Sequence, residues 1–175
     1  MALNNKFKKG LLVLPLLSLL LFVGCKVSYK FTGASIDYSV VKTISLETFQ
    51  NRAAYQWGPM AMMLNEKISD VFIQQTKLTQ VNRGGDLQLA GEITAYDQIN
   101  KSISSDGYSA MVQLRMTVNV RFTNNKNHEE DFERTFSATR DYESSQQLET
   151  VQEELVTQMI AEIVDAIFNA ALANW

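Results

Sequence analysis

One cysteine, one histidine and two prolines among 175 residues rule out several common ways of building and using a protein. A single thiol at Cys25 forms no intramolecular disulfide, and with only His128 beside it no cysteine-histidine metal site is complete. Pro15 and Pro59 are too few to mark a proline-rich linker, and neither an internal repeat nor a low-complexity tract interrupts the chain. No Gly-x-Ser-x-Gly elbow presents an activated hydroxyl, and no nucleophile, base and metal set converges. The expectation is a protein that is not an enzyme.

What is present begins at the N-terminus. Lys6, Lys8 and Lys9 form a basic region, Leu11 to Val23 an apolar run of 13 residues, and Gly24 supplies the small residue before Cys25. As a helix that run reaches about 20 Å, short of the roughly 30 Å of hydrocarbon a spanning helix must cross. It therefore reads as a lipoprotein signal over residues 1–24, followed by a lipidated tether over 25–38 from an acylated Cys25 and one domain over 39–175. Without the signal, 151 residues remain, with 13 basic against 19 acidic side chains and a net charge of −6. Such a charge argues against nucleic acid as a partner. With no second thiol, the core alone must hold the domain together.

Residues 40–49, rich in β-branched and apolar side chains, predict a first strand. Pro59 suits the first position of a helix, and Met60, Leu64, Ile68, Val71 and Phe72 recur at helical spacing until about Gln75. A turn at Arg83-Gly84-Gly85-Asp86 precedes a strand in which Leu87, Leu89, Gly91, Ile93 and Ala95 alternate with their neighbours. After a hairpin turn at Ser104-Ser105-Asp106-Gly107 the alternation is cleanest. Ala110, Val112, Leu114, Met116, Val118, Val120 and Phe122 face one way, and Gln113, Arg115, Thr117, Asn119 and Arg121 the other. Asn124-Asn125-Lys126-Asn127 leads into an edge strand over 130–142, where Arg134 shares a face with Phe132, Phe136 and Ala138. Ser144 and Gln147 have capping-box spacing, and Leu148, Val151, Leu155, Met159, Ile163, Ile167, Ala170 and Ala171 predict a long second helix. The order β-α-β-β-β-α, with one strand face plainly polar, predicts an α+β two-layer sandwich of two helices packed on one face of a four-stranded mixed sheet.

Chemistry-bearing side chains are sparse. His128 reads as a solvated turn residue. Glu129, Glu130, Asp131 and Glu133 lack the spacing of a calcium loop, and Gly84-Gly85 lacks the context of a phosphate cradle. Neither a metal nor a cofactor is implied beyond the covalent lipid on Cys25. Met60, Met62 and Met63 suit core or near-core positions. The remaining candidates are cations: Arg115 and Arg121 on the polar strand face, Lys101 and Lys126 beside the two hairpin turns. Guanidinium forks and ammonium charges there suit the phosphates of a membrane glycolipid, and pairing with nearby acids is an equally good use of each.

Tyr29-Lys30-Phe31-Thr32-Gly33-Ala34-Ser35 follows Cys25, and Lys42-Thr43-Ile44-Ser45 is followed by Phe49-Gln50-Asn51. Gly85-Asp86-Leu87-Gln88 leads to Gly91-Glu92-Ile93-Thr94, and Asp131-Phe132-Glu133 stands ahead of the last helix. In this order the segments resemble the lipopolysaccharide-assembly lipoprotein family LptE, in a divergent branch. The resemblance implies a lipoprotein on the periplasmic face of the outer membrane, plugged into the LptD β-barrel, that helps the barrel assemble and helps lipopolysaccharide reach the cell surface. Lys26-Val27-Ser28-Tyr29-Lys30 places no acidic cluster behind Cys25, in keeping with that face. A periplasmic lipoprotein subunit or scaffold of another envelope or secretion complex is the alternative, because such modules share this order of elements.

Overall fold

The computed structural model describes residues 36–103 and 109–172, with the backbone alone at 102, 103, 109 and 110. The expected signal, Cys25, most of the tether, the turn at Ser104-Ser105-Asp106-Gly107 and Trp175 lie outside the described residues.

The strand with the cleanest alternation, β5 (Ser109–Asn124), lies between β4 (Leu87–Ile103) and β6 (Phe132–Glu143), antiparallel to both. Val112, Leu114, Met116, Val118, Val120 and Phe122 are buried, while Gln113, Arg115, Thr117, Asn119 and Arg121 reach solvent. Successive side chains on a strand point to opposite faces, so this strand separates core from water residue by residue. A short 3-10 turn at His128–Glu130 joins β5 to β6, an edge strand as expected.

The sheet has six strands, not the four expected. Its order is β3-β1-β4-β5-β6, with β1 (Thr43–Leu46) parallel to both β4 and β3 (Thr79–Val81), and β2 (Gln50–Asn51) added parallel to β4 further along. What reads as one strand over 40–49 is broken before Gln50. There the Phe49 N–H donates to Asn65 Oδ1 at 2.8 Å and its carbonyl accepts from Asn65 Nδ2 at 2.9 Å, so a side chain replaces the ladder. At two and three residues, β2 and β3 are too short for any alternation to show.

Helix α1 (Met60–Gln75) buries the five side chains its spacing picks out, with Pro59 just ahead of it at φ −67°. Met63 is half-buried, whereas Met62 points to solvent and corrects the near-core expectation. Helix α2 (Leu148–Leu172) buries a broader face than the predicted row. Val156, Ile160, Val164 and Phe168 join Leu148, Met159, Ile163 and Ile167, and Val151 and Leu155 sit at the margin because the helix packs against both the sheet and α1. Phe168 meets Phe72 edge-on at 5.3 Å. The helix begins three residues later than a Ser144 cap would start it, after a turn closed by Gln146 N–H donating to Glu143 O. Although α2 is long and apolar enough to cross a membrane, its apolar face belongs to the core. Each such side chain, fully buried, contributes about 1.5–3 kcal/mol. Gln152, buried among them, donates from Nε2 to the Tyr96 hydroxyl at 2.8 Å, and burial pushes the Tyr96 phenol up to about 12.

Two local devices hold the sheet in register. Gly91 lets the Phe49 ring and the Asn119 carbonyl oxygen approach the β4 backbone, since a Cβ there would overlap both. Asp86, after the turn whose Gly84 has φ +67°, accepts from the Lys42 N–H, the Thr43 N–H and the Thr43 hydroxyl at 2.9–3.0 Å and pairs with Lys126 Nζ at 2.9 Å. The start of β1, the glycine turn and the β5–β6 hairpin are thereby tied to one carboxylate.

Gly91→Ala should cost about 1–3 kcal/mol in chemical denaturation, the usual penalty of overpacking. Gly58→Ala, with open space around it, should stay within about 0.5 kcal/mol; equal effects would contradict the Phe49–Gly91 contact. The donors on Asp86, the Lys42 N–H first and Lys126 next, hold its carboxyl well below the usual value of 3.8, with burial opposing them. A depressed carboxylate adds stability above its unfolded pKa and loses it as pH falls through the folded one. The melting-temperature gap between wild type and Asp86→Asn should thus be constant above about pH 5 and shrink below about pH 4. A gap that widens in acid would exclude the clasp.

Candidate functional site

The solvent face of the sheet is built from alternate residues of β4, β5 and β6, and cross-strand register decides which side chains meet. Asp97 stands opposite Arg115, whose Nε and Nη2 donate to its two carboxylate oxygens at 3.1 and 3.0 Å. That two-pronged bond raises the Arg115 pKa further. Asp141 of β6 accepts from Lys101 Nζ at 2.7 Å and Gln113 Nε2 at 3.1 Å, and Lys101 holds its carboxyl below the usual range. Thr117 and Ser137 hydroxyls meet at 3.0 Å, and Asn119 Nδ2 donates to Glu133 at 3.0 Å. Arg52 lies 3.9 Å from Glu92.

Of the four predicted cations, Arg115 and Lys101 therefore share this face and are paired on it. Arg121 lies on the same face, about 20 Å along β5 from Arg115, and its side chain has no hydrogen bond or ion pair among the described residues. Lys126 is elsewhere, in the hairpin and bound to Asp86. The four do not form one cluster.

The acidic run in the hairpin does more than face water. Glu130 accepts from Asn124 Nδ2 and Asn127 Nδ2, and Asp131 accepts from the Asn124 N–H at 2.7 Å and lies 2.9 Å from His128 Nδ1. The Asn124 N–H first, then His128, lowers the Asp131 carboxyl. His128 itself is exposed. Arg134, one of two arginines on the apolar side of β6, lies over the Phe132 ring at 5.1 Å, which explains its place among Phe132, Phe136 and Ala138.

Two grooves, neither legible in the sequence, flank the sheet. One, of about 530 Å³, opens between residues 36–41, the β5–β6 hairpin and the last turn of α2. The other, of about 600 Å³, lies beside β2 and the start of α1, between Phe49, Trp57 and Met62. The first gathers residues from segments far apart in the chain, the second from residues 48–66 alone. Among the described residues no group of histidine, cysteine and acidic side chains is arranged to hold a metal, and every buried side-chain nitrogen or oxygen has a partner.

Solved structures share the fold at low identity. A hypothetical protein from Chlamydia trachomatis superposes with a TM-score of 0.54 at 10% identity, over 77% of this chain and 99% of its own. A minor lipoprotein from Acinetobacter baumannii gives 0.50 at 19%, over 75% and 94%. A protein from Xanthomonas campestris gives 0.51 at 12%, over 74% and 84%. No curated protein sequence matches. The family model described as LptE, lipopolysaccharide-assembly, matches residues 41–171, a stretch holding all six strands, α1 and all but the last residue of α2. The chain belongs to the LptE family of lipopolysaccharide-assembly proteins.

Proposed function

We propose that this protein is an outer-membrane lipoprotein, anchored through lipid on Cys25 at the periplasmic face, that plugs an LptD-type β-barrel translocon, helps the barrel assemble and assists lipopolysaccharide insertion at the cell surface. The observation that carries the reading is the family match across residues 41–171. The paired solvent face of the sheet supports it. The lumen of a large barrel is wet and polar, and a face whose charges largely answer one another enters it without stranding a row of unpaired ions. The role is non-enzymatic: binding, scaffolding and occupancy of a lumen. Arg121, lacking a partner on that face, is the first of the basic candidates to test against lipopolysaccharide phosphate, ahead of Arg115, Lys101 and Lys126.

A tagged full-length protein extracted in mild detergent should bring down one large β-barrel in stable complex, and its depletion should lower surface lipopolysaccharide. Recovery of the protein alone, or loss of a secreted substrate with normal surface lipopolysaccharide, would contradict the reading. An anchor of more than one acyl chain sorts a domain without holding its core together. Cys25→Ser should therefore leave the domain folded, with an unchanged melting temperature, but released from the membrane fraction. An unfolded variant would overturn that separation.

A further inference from the structure

We infer that the groove at the β5–β6 hairpin end of the domain is a docking site for a basic, apolar segment of a partner protein. Three features of separate origin converge on it. The floor is apolar: Leu87 and Phe122 are buried beneath it, and Val40, 51% exposed, presents an aliphatic side chain to water at its mouth. The lip is anionic. Glu129 has no side-chain partner among the described residues, and the Ser39 hydroxyl and N–H, both on Asp37 Oδ1, hold that carboxyl below its usual range. The far wall is Ala170 to Leu172 of α2, and the last described turn of that helix carries no basic side chain to offset the acidic lip.

Two cations, Lys126 and Arg134, line the groove against four carboxylates, Asp37, Glu129, Glu130 and Asp131, so the lining stays net acidic. Lys126 is held by Asp86, and the Arg134 guanidinium lies over Phe132. A ligand that complements the groove must therefore bring its own positive charge and apolar side chains, which an anionic lipid headgroup does not. At about 530 Å³ the groove is within the range of roughly 300–1,000 Å³ that small binding sites occupy. A short peptide segment with lysine or arginine beside aliphatic residues meets both requirements. The inference does not depend on the partner being a barrel.

The test uses full-length protein in zwitterionic detergent and three fluorescein-labelled pentapeptides, Leu-Lys-Leu-Lys-Leu and its Gln and Glu counterparts, followed by fluorescence anisotropy. The lysine peptide should bind saturably and at least tenfold more tightly than the other two. Val40→Arg and Glu129→Lys, both at exposed positions, should each weaken it about tenfold with unchanged circular dichroism. Glu153→Lys, the same charge change on the outer face of α2, should alter affinity less than twofold. Absence of saturable binding, equal binding of the glutamate peptide, or equal loss in Glu153→Lys and Glu129→Lys would overturn the inference. So would labelling by a photoactivatable phospholipid that Val40→Arg abolishes while the lysine peptide fails to bind.

Discussion

Burial of one face of the β4–β5–β6 sheet under two helices is the constraint on which everything else in this domain depends. No cysteine follows Cys25, so no disulfide limits the unfolded chain, and the free energy of folding must come from packing. The even-numbered side chains from Val112 to Phe122 of β5, the Phe72–Phe168 contact between the helices and the Phe49 ring over Gly91 belong to one continuous buried cluster. A one-residue slip of β5 would exchange its apolar and polar sets, which is why its register is so strongly specified.

The opposite face follows from the same alternation. Once the core takes the even-numbered positions, the odd-numbered ones must carry side chains that tolerate water, and antiparallel pairing brings Asp97 of β4 opposite Arg115 of β5 and Asp141 of β6 within reach of Lys101 of β4. Exposed ion pairs of this kind contribute little to stability. What they provide is a polar surface in which most charges are already answered, a property that suits enclosure in a wet lumen better than contact with hydrocarbon. The strongly negative elements lie elsewhere, on the outer face of α2 and around the hairpin, where Glu129 and the helix end border the groove.

Long, regular elements were legible in the sequence because periodicity accumulates over many residues. All five buried positions of α1 and the two faces of β5 are cases in point. The two-residue β2 and three-residue β3 left no period to detect, so a six-stranded sheet read as four. The partners of Arg115 and Lys101 depend on register between strands, and the use of Asp86 as a clasp depends on segments more than 40 residues apart. Gln152, polar in an apolar row, is buried only because the Tyr96 hydroxyl stands where its amide ends. The groove draws on residues 36–41, 122–134 and 170–172, and no local pattern joins them.

Enclosure of the polar sheet face by a partner in the native membrane has a direct test. Thr135 and Thr139 of β6 are exposed on that face and suit single cysteine substitutions. In native envelopes, Thr135→Cys and Thr139→Cys should react with a small water-soluble maleimide but resist a polymer-linked one, and both reagents should label the isolated protein. Equal labelling by the polymer reagent in envelopes and in isolation would show that the face is not enclosed.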